Sequence, residues 1–210
     1  MSRRRWPRRV ALALAIVVAA GALALMPLTT TRGIDHVVTS RTIPAYVKAL
    51  DFVDRDVNYQ QLARAVVGPA SSDAAKLEAV LAWTRASIRD TPAGVPVVDD
   101  HPWNIIVRGY GKDDQQADVF TTLLSYAGVR AYWIAIGPGP ELMLSFASIE
   151  GRWHPVDVAN GIVFKGPNGE FAVVEDLARD HQLAARQGPP AYAGLPYARF
   201  FDRFAAPAPP

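Results

Sequence analysis

The sequence predicts an α+β domain carried behind one membrane-spanning helix, and three observations carry that prediction. A basic amino terminus runs into a long uncharged apolar stretch, two segments of helical periodicity come next, and the later chain alternates as antiparallel strands do. The 210 residues suit one domain of ordinary size plus an extension. Hydrophobic residues make up 50% of the chain and charged residues 20%, so a packed core is within reach and extended disorder is excluded.

The first element opens with Arg3, Arg4, Arg5, Arg8 and Arg9, and no acidic residue precedes Asp35. Val10 to Met26 then carries no charge, at the lower end of the ~17–25 residues that cross a bilayer as a helix. Arginines stay on the cytoplasmic side, which sends everything after Pro27 across the membrane. Residues 1–28 are therefore expected to be a signal anchor. It would cross the inner (cytoplasmic) membrane once, with the amino terminus in the cytoplasm and the domain in the periplasm or another extracytoplasmic space. Ala22-Leu23-Ala24 offers a small-x-small cleavage site, but the apolar run continues past it, which favours the uncleaved anchor.

Residues 29–45 read as a polar linker, 46–204 as the folded domain and 205–210 as a flexible tail rich in proline and alanine. Within the domain, Val47, Leu50, Val53, Leu62 and Val66 suggest one or two short helices between Tyr46 and Val67. Gly68 to Ser72 breaks the pattern, and Asp73 can cap the next helix. Leu77, Val80, Leu81, Thr84 and Ile88 recur at i, i+3, i+4, i+7 and i+11, the stripe of an amphipathic helix that Trp83 widens. A turn-rich connector from Thr91 to Pro96 leads to a helix from about Asp113 to Ala127, stopped by Gly128. Strand-like runs cover 129–136, 142–149, 153–158 and 162–165, with Glu150-Gly151 as a two-residue hairpin signal.

Charge and cysteine content narrow the function classes. The pI near 9.0 is set by the amino terminus: without its five arginines the 22 basic residues fall to 17, against 20 acidic ones. From residue 10 onward the net charge is −3, which excludes a basic nucleic-acid-binding surface. The chain has no cysteine, which excludes disulfides, thiolate metal sites and any thiol nucleophile. No cofactor is expected. His36 and His181 have no visible partners and are expected to be exposed.

The segment Gly109-Tyr110-Gly111-Lys112-Asp113-Asp114-Gln115-Gln116-Ala117 opens the second helix. Glycines there let the backbone turn sharply and bring the first-turn N–H groups toward a pocket, an end that favours an anion. Read by itself, this is also what a plain acidic helix start looks like. Upstream, Asp99, Asp100, His101, Pro102, Trp103 and Asn104 form either a loop lining the same pocket or a surface turn anchored by one buried tryptophan. In the first case Trp103 is a stacking platform and Arg108 an anion clamp.

The order of these features resembles the transglutaminase-like family, a papain-type α+β fold with a central helix packed on an antiparallel sheet. The nearest variant of its motif reads Gly-Tyr-Gly-x-Cys-Asp-Gln-x-Ala. Gly109-Tyr110-Gly111, Asp114, Gln115 and Ala117 agree with it, and the cysteine position falls on Asp113. Gly128-Val129-Arg130-Ala131 matches the family's step from helix to strand, and Glu150-Gly151-Arg152-Trp153 its acidic-Gly-basic-Trp hairpin. Counting back from Trp153 puts the family histidine on Leu142, and Asp157 falls on its aspartate. The resemblance spans roughly residues 73 to 165.

Lacking thiolate and imidazole, such a member is expected to be inactive, with no confident catalytic residue and with Asp113, Leu142 and Asp157 as degenerate triad positions. Asp157 would persist as a hydrogen-bonding relic near Trp153 or Asn104. Trp103, Arg108, Asp114, Gln115 and Trp153 are the candidate ligand-binding residues. His154 and Asp157 are three apart in a strand and so should face opposite ways. The resemblance and the export signal imply a binding or scaffolding module of the bacterial cell envelope, with surface polysaccharide assembly as one setting. Its partners would be the membrane, through the first helix, and a peptide, glycan or envelope protein. Two alternatives stand beside it. One is a hydrolase or cation site built on Asp113, Asp114 and Asp157. The other is a structural subunit of a membrane complex that uses the aromatic-basic segment Arg199 to Phe204, which more readily packs as a terminal helix than meets lipid.

Overall fold

The computed structural model describes residues 6–34, 37–96 and 99–208. Arg3, Arg4, Arg5, Asp35 and His36 lie outside these residues, as do the last two of the tail. The chain divides into two compact units, Met1–Val57 and Asn58–Pro210.

The first unit opens with α1 (Trp6–Leu25), which contains an 18-residue window of mean hydropathy 2.0 with none of it buried against protein. Twenty helical residues reach about 30 Å, the thickness of a bilayer's hydrocarbon core. This helix is long and apolar enough to cross a membrane. In the segment expected as a linker, residues 29–34 and 37–44 are strand rather than irregular chain. β1 (Pro27–Ile34) and β2 (Val37–Pro44) pair antiparallel from Pro27↔Pro44 to Ile34↔Val37. Neither strand buries an alternating face, which is why the hairpin left no period-2 signal.

The expected short helices are one continuous helix, α2 (Ala45–Val67), and the boundary between units falls inside it. Only its later part enters a core, through Tyr59 and Ala63, whereas Leu50 and Val53, taken from the sequence as stripe positions, are exposed.

The second unit is a mixed α/β domain. α3 (Asp73–Ser87) is capped by Ser72, whose Oγ accepts from Ala75 N at 3.2 Å, so the cap lies one residue before the expected Asp73. Its predicted stripe is fully realised: Leu77, Val80, Leu81, Thr84 and the following Ile88 are all buried. β3 (Arg89–Asp90) runs parallel to β4 (Tyr110–Gly111), and between them lies α4 (Pro102–Arg108), a short helix where the sequence suggested only a loop or turn.

α5 (Asp113–Tyr126) is the central helix. Val119, Phe120, Leu123 and Leu124 are completely buried, and Gly128 takes the left-handed conformation (φ 84°) that ends it. The sheet runs in the order β5 (Ala131–Ile136), β6 (Leu142–Ile149), β7 (Arg152–Asp157), β8 (Ile162–Val163), antiparallel throughout. Glu150 (φ 51°) and Gly151 (φ 77°) both have positive φ, as a tight two-residue hairpin turn requires.

Register assigns the two faces of this sheet. Ala147, Ile149 and Val156 share one face and join α3 and α5 in one core cluster. Leu142, Leu144 and Phe146 share the other face and join a second cluster built largely from the chain's final third. That third contains α6 (Val174–Arg179), α7 (His181–Gln187), a small hairpin of β9 (Ala191–Tyr192) and β10 (Leu195–Pro196), and one 3-10 turn from Tyr197 to Phe200. Phe200, Phe201 and Phe204 are buried in this cluster, so the segment offered as an association surface packs inward. It does so through a short 3-10 turn rather than a full terminal helix. His181 opens α7 and is half-buried rather than exposed.

Candidate functional site

The turn between α4 and α5 is organised by Arg108. Its guanidinium donates to the carbonyls of Asp99 (2.6 Å) and Tyr110 (2.8 Å) and to Gln115 Oε1 (2.7 Å). Gln115 is buried; its Oε1 also accepts from Lys112 N at 3.0 Å, and its Nε2 donates to Asp100 Oδ1 at 2.6 Å. Gly111 is needed here because a Cβ would sit 3.0 Å from that of Gln115. Asp114 Oδ1 accepts from Gln115 N at 2.9 Å, an ordinary first-turn bond. The motif that drew attention in the sequence thus folds into a polar staple joining α4 to the start of α5.

Asp113, the first residue of α5, accepts a hydrogen bond from the Tyr192 hydroxyl through Oδ2. Asp157, fully buried at the end of β7, accepts from the Tyr197 hydroxyl at 2.6 Å and from Asn160, through N at 3.0 Å and Nδ2 at 2.8 Å. Asp157 therefore has partners other than the expected Trp153 or Asn104; Asn104 donates instead to Asp99 Oδ2. Burial pushes the Asp113 carboxyl above its ordinary value, and the charges of Asp90, Asp157 and Asp114 add to that while Arg85 opposes it. Burial, then the Asp157 charge and hydrogen bond, push the Tyr197 phenol up as well, so it stays protonated and donates. Gln116 ties the remaining groups together: it donates to Asp90 Oδ1 at 3.0 Å and accepts from Arg85 at 3.4 Å.

Leu142 lies on the same sheet face as Asp157, because Asp157 pairs directly with Leu144, two residues further along β6. Such diagonal neighbours lie about 7–8 Å apart. The three positions picked out by the resemblance thus carry a carboxyl that burial holds against ionisation, an aliphatic side chain that moves no proton, and a buried aspartate that already accepts three hydrogen bonds. His154 faces away from Asp157, as expected from odd spacing, and its Nδ1 lies 3.0 Å from the Ala172 carbonyl. Among the described residues no group of three or more His, Cys, Asp or Glu side chains is placed to hold a metal ion.

The remaining candidates do not converge on one place. Trp103 packs edge-on against Tyr59, 5.3 Å between centroids, in the first core cluster. Trp153 packs edge-on against Tyr132 at 4.9 Å, in the second. A cavity of about 510 Å³ lies between α3 and the β8 region, lined by Glu78, Leu81, Arg85, Gly161, Val163 and Lys165. Arg85 belongs both to this cavity and to the charges felt by Asp113.

Sequence reasoning missed Tyr192, Tyr197, Asn160, Arg85 and Gln116. Asn160-Gly161 shortly after an aspartate-ended strand is a readable turn signal. The tyrosines, in a stretch without periodicity, gave none.

No family model matches the chain, and no curated protein matches it. Three solved structures are similar at low identity. One from Cytophaga hutchinsonii, provisionally designated a cysteine protease, aligns at 17% identity and a TM-score of 0.44 over 55% of this chain and 40% of its own. One from Parabacteroides distasonis ATCC 8503, provisionally designated a protease, aligns at 12% and 0.39 over 63% and 39%. A crystal structure of a TGase aligns at 13% and 0.39 over 71% and 48%. The chain spans less than half the length of each.

Proposed function

We propose that this chain is an exported, membrane-tethered, catalytically silent transglutaminase-like module that binds a peptide or glycan of the bacterial cell envelope. One observation carries the reading. Where the family resemblance puts the cysteine and the aspartate, the chain's own Tyr192 and Tyr197 donate to Asp113 and Asp157. Acyl transfer needs a nucleophile, a base in reach of it and a free oxyanion position. Here the nucleophile position holds a carboxyl bonded to a phenol, and the base position holds Leu142. What supports retention of a ligand is the neighbouring cavity, with Arg85 and Lys165 on an apolar floor of Leu81 and Val163.

Sedimentation of the full chain, in detergent micelles, with insoluble peptidoglycan tests this. Saturable retention that Arg85→Glu reduces about tenfold is expected, with no amine or peptide released by either form. Equal retention of both forms, or release of product by the wild type, overturns the proposal.

A second reading has one observation in its favour. The Asp113 carboxyl, raised by burial and by neighbouring charges that include Asp157, stands within electrostatic reach of a second carboxyl, the pairing a two-carboxylate hydrolase uses. The same product assay separates the two, since a hydrolase would lose turnover in Asp113→Asn.

A further inference from the structure

The phase of hydrogen bonding along β5 fixes what its outer edge offers. Ser148 N donates to Arg130 O at 2.8 Å, and Ala131 pairs with Ala147, so the even-numbered residues of this strand direct their backbone groups at β6. In an antiparallel ladder the odd ones then point the other way, so Ala131, Trp133 and Ala135 present N–H and C=O outward. β5 is an end strand of the sheet, and among the described residues no backbone or side chain pairs with those groups. Natural edges are blunted by lysine, proline or a bulge. Ala-Tyr-Trp-Ile-Ala-Ile has none of these.

The side chains of the even positions point to the sheet face that carries the second core cluster. There a cavity of about 560 Å³ opens beside the strand, with Ile134, Ile136, Phe200 and Phe204 in its lining and Arg199 and Arg203 among its polar residues. Arg199 is paired with Asp202 at 3.2 Å, while Arg203 enters no salt bridge among the described residues. Edge and cavity together make a strand-addition site: backbone groups supply affinity, and alternate side chains of the guest drop into the pocket.

We propose that β5 binds an extended acidic peptide as a fifth strand, its side chains opposite Ile134 and Ile136 entering the cavity and a carboxylate meeting Arg203. The site is separate from the Arg85 cavity, and the inference does not rest on the function proposed above. A second copy of the chain is the poorer guest. Two-fold pairing of β5 with itself is antiparallel and sets the two Arg203 residues at opposite ends of the paired strands, and Ala-Tyr-Trp-Ile-Ala-Ile has no carboxylate to offer either.

The test uses the full chain in detergent micelles and the fluorescence anisotropy of a labelled peptide whose valines and one glutamate occupy alternate positions and so share the face toward the cavity. Saturable binding is expected, with the lysine counterpart at least about tenfold weaker and Arg203→Glu weakening the glutamate peptide by about the same factor. Ala135→Pro removes only an outward-pointing N–H, which an edge strand tolerates, and it should abolish binding. N-methylation of alternate peptide amides should abolish it too, and that arm stands even if Ala135→Pro fails to fold. The proposal is overturned by absence of saturable binding, by equal binding of the N-methylated peptide, or by a dimer cross-linked through β5 that excludes the peptide.

Discussion

Asp113 sits where a helix start favours an anion, yet burial and three neighbouring carboxylates work against ionisation. First-turn N–H groups stabilise negative charge. Burial removes the water that a carboxylate needs, and Asp90, Asp157 and Asp114 repel it, with Arg85 only partly compensating. The consequence for stability has a definite sign. Between the ordinary aspartate value of 3.8 and the raised value in the fold, the native state holds a proton that the unfolded chain has lost. The contribution of the neutral acid is complete below 3.8 and declines as pH rises through the folded value. Asparagine keeps the neutral form at every pH and can still accept from Tyr192. Asp113→Asn should therefore exceed the wild type in stability at neutral pH and converge with it in acid, read from urea melts across that range. A gap that is constant or reversed would show that Asp113 is comfortably ionised in the fold. At this scale the sequence exposed half of the site. Asp113 and Asp157 stand in legible motifs, but Tyr192 and Tyr197 reach them across 79 and 40 residues from a stretch with no period to read.

Among the elements, legibility tracked burial. α3, α5 and the β5–β7 ladder each press one face or stripe into a core, so their apolar spacing mirrors their geometry. The β1–β2 hairpin buries almost nothing and α4 is only seven residues started by proline, so neither printed a period, while the apolar spacing in the first half of α2 meets no core. The family placement also turns on elements. It requires the first turn of α5 and the start of β6 to be near enough for a thiolate and an imidazole to interact. Because the chain has no other cysteine, the alkylation rate against pH reports the Asp113→Cys thiol alone. Adding Leu142→His should lower the apparent thiol pKa by about one unit or more from its single-variant value, as a neighbouring imidazolium does. No change on adding the histidine would mean that the two positions do not face each other and that the transglutaminase-like alignment is wrong.

For the molecule as a whole, the decisive feature is that its final third is core rather than appendage. Phe200, Phe201 and Phe204 complete the cluster over Leu142, Leu144 and Phe146, and Phe200 also packs edge-on at 5.4 Å against Tyr192, the donor to Asp113. Removing one buried phenylalanine side chain costs about 3–5 kcal/mol. Losing three approaches the roughly 5–15 kcal/mol that holds a typical domain together. A chain ending after Phe204 should melt as the full chain does, since what it lacks is a largely exposed tail. A chain ending after Ala198 should lose its cooperative transition and, with it, the tyrosine bonds to both aspartates. Thermal melts of the three lengths in the same detergent, monitored by near-ultraviolet circular dichroism, separate the outcomes. An unchanged melt after the shorter cut would free the Arg199 to Phe204 segment from the fold, and the structural-subunit role read from the sequence would then regain its surface.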